Sequence, residues 1–207
     1  MKKRILFTTI FSSNTIKATI NKLSNIDEVI YLVEEGLEKE KSEDAKIKLK
    51  AIEDLKSSFK DVIKITGLRT SLYDIPKIMA DVAKKIDQFS KDETEIFIHI
   101  SEGRKPLALG LLFASYLRNE RISGAFYLIK EKNELMTLPL LDFSINKRKR
   151  AILNKINQGI EDKDKIQKEL KLSRSAVYQY IDELKKEGFI TNETGLKITE
   201  LGRVMIL

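Results

Sequence analysis

The sequence predicts an α/β protein: a Rossmann-like domain with a mainly parallel sheet and a terminal hairpin, then a small winged helix-turn-helix domain. Three observations predict it. Short apolar runs alternate with helical patterns as far as residue 120, as in βαβ units joined by right-handed crossovers. Two further apolar runs are separated only by Glu131, Lys132 and Asn133, a hairpin spacing. Beyond Asn146, three short helical patterns precede two brief apolar runs around a Gly-containing turn, the order of a winged helix.

The elements follow in chain order. Residues 4–10 form the first expected strand, carried by Ile5, Leu6, Phe7 and Ile10. A helix over 13–23 puts Ile16, Ile20 and Leu23 on one face, the 3.6-residue period of an amphipathic helix. Strand 28–33 is followed by a long helix over 42–59, with Ser42 as cap and Glu43 and Asp44 in its first turn, where acidic groups complement the helix dipole. Strand 61–66, helix 72–89, strand 95–100 and helix 107–117 come next, then hairpin strands 124–130 and 134–140. A linker is expected at 144–147. It divides a Rossmann-like domain, 1–143, from a winged helix-turn-helix domain, 144–207.

In the second domain, residues 151–156 form a helix stopped by Gly159. Residues 165–170 form another, capped by Asp162 or Asp164, and 173–187 a third, with Gly188 at its end. The wing pairs 189–190 with 196–198 around a turn at 192–195, and TELGRVMIL closes the chain as a short turn or helix.

Composition excludes several function classes. There is no cysteine, which removes disulfides, thiolate metal sites, iron–sulfur clusters and cysteine nucleophiles. His99 is the one histidine, so no mechanism that needs two histidines fits within one chain; the expected role is a half-buried strand histidine, the alternative a general base or ligand contact near the 101–106 loop. No apolar run approaches the ~18 residues of a membrane span. The opening MKKRILFTTIF is too short an apolar run for a signal peptide and is followed by SSNT, so a first buried strand and a cytoplasmic protein are expected. The net charge of +7 is uneven: the first 143 residues carry 24 basic and 22 acidic side chains, the last 64 carry 14 and 9. A basic tail domain points to a polyanion partner.

Double-stranded DNA is the expected partner. In a winged helix the third helix is presented to the major groove. Ala176, Val177, Tyr180, Ile181 and Leu184 would face inwards, leaving Ser173, Arg174, Ser175, Tyr178 and Gln179 outside. Arginine reads guanine edges, glutamine reads adenine, and serine holds phosphates. Lys185, Lys186, Lys197, Arg148, Lys149 and Arg150 are the expected backbone-phosphate contacts. The string IQKELKLSRSAVYQYIDELKKEGFI resembles bacterial and archaeal winged-helix transcription regulators.

In open α/β sheets ligands sit beyond the carboxyl ends of the strands, where strand order reverses. Three loops are expected there: 10–15 after the first strand, 66–71 after the third and 101–106 after the fourth. The second holds Gly67 and Arg69; the third holds Ser101, Gly103, Arg104, Lys105 and Pro106 at a helix start, a combination suited to phosphate. Neither GxGxxG after the first strand nor GxxxxGK[ST] occurs, which disfavours dinucleotide binding and a P-loop.

SSNT at 12–15 and SEGRKPLALGLLFAS at 101–115, on a Rossmann-like domain fused to a winged helix, resemble the CRISPR-associated CARF-domain transcription regulators. The resemblance implies a homodimer that binds a cyclic oligoadenylate, cyclic tetra-adenylate above all, in a cleft across the dimer axis. It implies Ser12, Ser13, Asn14 and Thr15 around one part of that ligand, and Ser101, Gly103, Arg104 and Lys105 around its phosphates. The family loop often has two adjacent glycines; here Glu102 takes the first place. The function implied is a ligand-responsive regulator of CRISPR-associated genes acting on a palindromic promoter site, within antiviral defence. No catalytic residue, metal or cofactor is expected. Two alternatives stay open: a ring nuclease that degrades cyclic oligoadenylate, and a ligand-independent DNA-binding dimer.

Overall fold

Strand β1 (Lys3–Thr9) lies at the centre of the amino-terminal sheet, paired in parallel with β2 (Glu28–Glu34) on one side and β4 (Thr94–His99) on the other. Covered on both faces, it reads as a near-continuous apolar run, and Ile5, Leu6 and Phe7 are fully buried. The computed structural model describes residues 2–141, 145–192 and 195–206. The chain divides into two compact units, Met1–Asp142 and Phe143–Leu207.

The first unit is a Rossmann-like three-layer domain. Its six-stranded sheet has the order β3-β2-β1-β4-β5-β6, with β3 (Lys64–Thr70), β5 (Ile122–Ile129) and β6 (Glu134–Leu138) completing it. Only β6 runs antiparallel, as the second arm of the hairpin with β5. Helices α1 (Ser13–Leu23) and α2 (Glu43–Ser58) share a core with Leu6, Val29 and Tyr31. Helices α3 (Ile75–Asp87) and α4 (Lys105–Leu117) pack closely on each other. A Cβ on Gly110 would come within 2.5 Å of Ile78 Cγ2, so the glycine permits that approach. The chain moves outwards from β1 to β2 and β3, then crosses back to β4, so strand order reverses between β1 and β4.

The second unit contains α5 (Lys147–Asn157), α6 (Lys163–Leu170), α7 (Arg174–Lys186), the wing strands β7 (Ile190–Thr191) and β8 (Lys197–Ile198), and α8 (Glu200–Met205). Its core is Ile152, Leu153, Ile156, Ile166, Val177, Ile181, Leu184, Ile190, Leu196 and Val204, all buried. Burying each such side chain contributes about 1.5–3 kcal/mol, enough together to support a small domain. Asp162 and Ser173 cap α6 and α7 by accepting hydrogen bonds from backbone amides of the first turns.

Three expectations need correction. The third strand does not stop at residue 66: β3 continues to Thr70, pairing Tyr31 with Gly67 and Val33 with Arg69. Gly67 and Arg69 are therefore strand residues, not loop residues. The Tyr31 ring lies over Gly67, where a Cβ would be 3.0 Å from it. Helix α5 starts at Lys147, the last residue of the expected linker and four residues before the expected 151, because Asn146 caps it by accepting from the Arg148 amide at 2.8 Å. Helix α3 starts three residues later than expected, at Ile75, because Asp74 accepts from the Lys77 amide at 3.0 Å and so acts as its cap. Ser144 of the expected linker and residues 193–194 of the wing turn lie outside the described residues.

Candidate ligand crevice and nucleic-acid interface

The loops that follow β1 and β4 meet where strand order reverses. Thr9 Oγ1 donates to the Glu102 carbonyl. Gly103 adopts φ +79°, and a Cβ there would lie 2.8 Å from Thr9 Cβ. Only glycine gives both the left-handed turn and the close approach. The Ser12 amide donates to Glu102 Oε2 at 3.2 Å, and Lys130 Nζ lies 2.8 Å from Oε1. The Leu128 amide donates to Ser101 Oγ at 2.5 Å. The carboxyl ends of β1, β4 and β5 are thus joined through Ser101 and Glu102. Beside this carboxylate, Lys130 is held in its protonated form above the usual lysine range.

Ser12 caps α1, accepting from the Asn14 amide at 3.3 Å. Asn14 is exposed, whereas Ser13 and Thr15 are buried. Ser13 donates its hydroxyl to Asp54 of α2, and Lys17 Nζ holds the same carboxylate at 2.7 Å. Those two partners, Lys17 first, lower the Asp54 pKa. Arg104 and Lys105 are exposed at the start of α4, and Arg104 pairs with Asp44 in the first turn of α2. Under the loops, His99 is fully buried with Nδ1 2.8 Å from Thr8 Oγ1. Burial first, then the Lys130 charge, pushes its pKa down to about 4.

Ser12, Ser101, Gly103 and Glu102 are therefore brought together, with Arg104 reaching towards α2. Gly67 and Arg69 are not part of that group. They lie on β3 at the sheet edge, separated from β1 by β2, and Arg69 is held in a two-pronged pair with Glu38. Lys130 was missed in the sequence because its spacing marks only a hairpin strand end. Asp44 reads locally only as a first-turn acid of α2, and Asp54 carries no local signal; they meet Arg104 and Ser13 only through the fold.

On the winged domain, Ser173, Arg174, Ser175, Tyr178 and Gln179 are exposed along the start of α7. The Tyr178 ring has Lys163 Nζ 4.5 Å and Arg174 Cζ 5.6 Å from its centroid. Such cation–π contacts brace both cations against one aromatic face. Lys163 was not among the sequence expectations; one turn of α6 brings it here. Lys186 and Lys197 are exposed, and Lys185 is half-buried. Lys149 has an internal task instead, 2.9 Å from Glu183 and 2.6 Å from Glu187. Arg150 donates to the Met205 carbonyl at 3.2 Å, and Arg148 lies 3.5 Å from the Tyr180 hydroxyl. Gln179 Nε2 donates to Glu183 at 2.9 Å.

Residues 149–206 match the winged helix-turn-helix family. Among solved structures, protein VC1899 from Vibrio cholerae is similar with a TM-score of 0.51 and 10% identity, over 98% of this chain and 65% of that one. Csm6 from Enterococcus italicus, bound to cyclic hexa-2'-fluoro-hexa-dAMP, gives 0.50 and 11%, over 91% and 57%. Can2 from Sulfobacillus thermosulfidooxidans, in complex with cyclic tetra-adenylate, gives 0.46 and 12%, over 98% and 63%. This chain thus spans less than two thirds of the length of each. No curated protein matches the sequence. At these identities the likeness is one of fold: a Rossmann-like sheet, here followed by a winged helix-turn-helix. Among the described residues, no helix is long and apolar enough to cross a membrane.

Proposed function

We propose that the chain is a homodimeric DNA-binding regulator of CRISPR-associated genes that senses a cyclic oligoadenylate, cyclic tetra-adenylate above all, in a crevice shared by two Rossmann-like domains. The observation that carries this reading is the meeting of the Ser12–Thr15 and Ser101–Lys105 segments at the reversal of strand order. That is where open α/β sheets take ligands. The winged helix-turn-helix match over residues 149–206 supports the DNA-binding half of the reading.

In this reading Ser12 and Asn14 contact one part of the ligand, and Arg104 and Lys105 meet its phosphates. Arg104 is half-exposed, and its pair with Asp44 is a surface pair. Such pairs contribute little, about 0–1 kcal/mol, so a phosphate displaces the carboxylate readily. Gly67 and Arg69 have no place in the crevice, given their position on the edge strand. On the DNA side, Arg174 and Gln179 face base edges, and Ser173, Ser175, Lys163, Lys186 and Lys197 face phosphates. Ligand and DNA binding are reciprocally linked, with a coupling of about 1–3 kcal/mol. Two winged helices related by a two-fold axis call for a palindromic site.

A mobility-shift titration with the DNA upstream of the chain's own gene tests this reading. Wild type shifts that DNA, Arg174→Ala does not, and cyclic tetra-adenylate changes the affinity only while Arg104 is present. Binding without sequence preference and without a ligand response contradicts it.

A further inference from the structure

We propose that Lys130 Nζ and the Ser12 amide form an anion subsite of the crevice, which the buried carboxylate of Glu102 fills from within until a phosphate takes its place. This rests on the reading above for the identity of the natural ligand, and on geometry alone for the subsite.

Glu102 is an unusual occupant of its position. Its side chain is 3% exposed, yet it stands on a loop at the carboxyl end of the sheet, where an α/β fold takes its ligands. A buried carboxylate is costly unless both oxygens meet donors. Here Oε2 accepts from the Ser12 amide at 3.2 Å, while Oε1 has no hydrogen bond and only the charge of the Lys130 ammonium 2.8 Å away. One backbone N–H beside one cation is also what a phosphate oxygen pair asks for. The Ser12 amide stands at the entry to α1, the first helix of the fold, where anions are favoured. The internal carboxylate therefore stands in for an external phosphate.

The two partners differ in access. Lys130 is 56% exposed, so a phosphate reaches it from solvent without unfolding anything. Glu102 is not reachable and must yield by turning away. An intramolecular group competes at a high effective concentration. A lone phosphate is therefore a poor competitor, and a ligand already anchored by Arg104 and Lys105 a good one. Lys130 also lies close enough to His99 for its charge to help keep the imidazole neutral. The subsite thus contains one cation, not two. It selects ligands that carry several linked phosphates, and Glu102 sets the threshold.

Calorimetric titration of wild type, Glu102→Gln and Lys130→Gln tests this, with cyclic tetra-adenylate and with tripolyphosphate as a probe that has no nucleobase. Removing the competing charge in Glu102→Gln tightens binding of both probes about tenfold, and removing the cation in Lys130→Gln weakens it about tenfold. The opposite signs are the signature, since loss of a merely structural tie would move both variants the same way. Two variants that both weaken, or affinities that stay at the wild-type value, overturn the subsite. If Glu102→Gln does not fold, Lys130→Gln decides: unchanged affinity overturns the subsite. If tripolyphosphate follows the expected pattern and cyclic oligoadenylates bind no variant, the subsite stands and the proposed ligand falls. If wild type binds cyclic tetra-adenylate and neither substitution matters, the proposed ligand stands and the subsite falls.

Discussion

Thr8 and His99 face each other across the two central strands, with Thr8 Oγ1 2.8 Å from His99 Nδ1 and neither residue exposed. The histidine is held neutral there, its pKa pushed down to about 4 by burial and by the Lys130 charge. The unfolded chain protonates it near the ordinary value of about 6.5. Between those values the unfolded state binds the extra proton, so stability is intact above about pH 6.5 and falls as the pH drops towards 4. A shift of this size is worth about 3 kcal/mol. Urea unfolding from pH 7 to pH 4 should show this loss in wild type and a flatter profile in His99→Gln. Parallel profiles would remove the histidine from the account.

Gly103 should resist substitution more than its exposure suggests. Its φ of +79° and the 2.8 Å approach to Thr9 Cβ leave no room for a side chain. Gly103→Ala is expected to cost about 1–3 kcal/mol from the left-handed backbone together with displacement of the loop. Chemical unfolding measures the loss, and ligand titration of the same variant should show weakened binding.

Packing of α3 on α4 rests on Gly110 beneath Ile78. Gly110→Val forces the helices apart and should destabilise the amino-terminal domain by about 1–3 kcal/mol. A second substitution, Ile78→Ala, makes room for the added methyls and should recover part of that loss. Without recovery, the close approach is not what the glycine serves.

Two basic residues of the winged domain should separate cleanly. Lys149 is tied to Glu183 and Glu187 with its side chain only 14% exposed. Lys149→Ala should lower the thermal midpoint and change DNA affinity little. Arg174, braced on Tyr178 and 70% exposed, should do the reverse. Arg174→Ala is expected to cost about 1–3 kcal/mol of DNA binding if it reads a base edge. Lys163→Ala should instead reduce the salt dependence of binding by about one unit of slope, as for a single phosphate contact.

The order of elements was legible in the sequence because apolar periodicity alternates cleanly between strand and helix as far as α4. Ser12, Ser42, Asp162 and Ser173 were readable as helix starts or their neighbours, since each cap acts on amides two or three residues away. The end of β3 was not readable. Thr66-Gly67 has the look of a turn, but the ladder with β2 carries the chain on extended to Thr70, and the Tyr31 ring over Gly67 leaves little room there for a side chain. The candidate site was half legible. Its loops stand out by composition, but Glu102 with Lys130, Arg104 with Asp44 and Ser13 with Asp54 are pairs of distant residues. Such pairs depend on sheet order, which local pattern does not carry.

The central claim is that two chains share one cyclic oligoadenylate between their Rossmann-like domains. Calorimetric titration of wild type and Arg104→Ala with cyclic tetra-adenylate tests it most directly. The account predicts saturation at one ligand per two chains in wild type, with binding strongly weakened in Arg104→Ala. Absence of heat in wild type, or one ligand per chain with an affinity indifferent to Arg104, would contradict it.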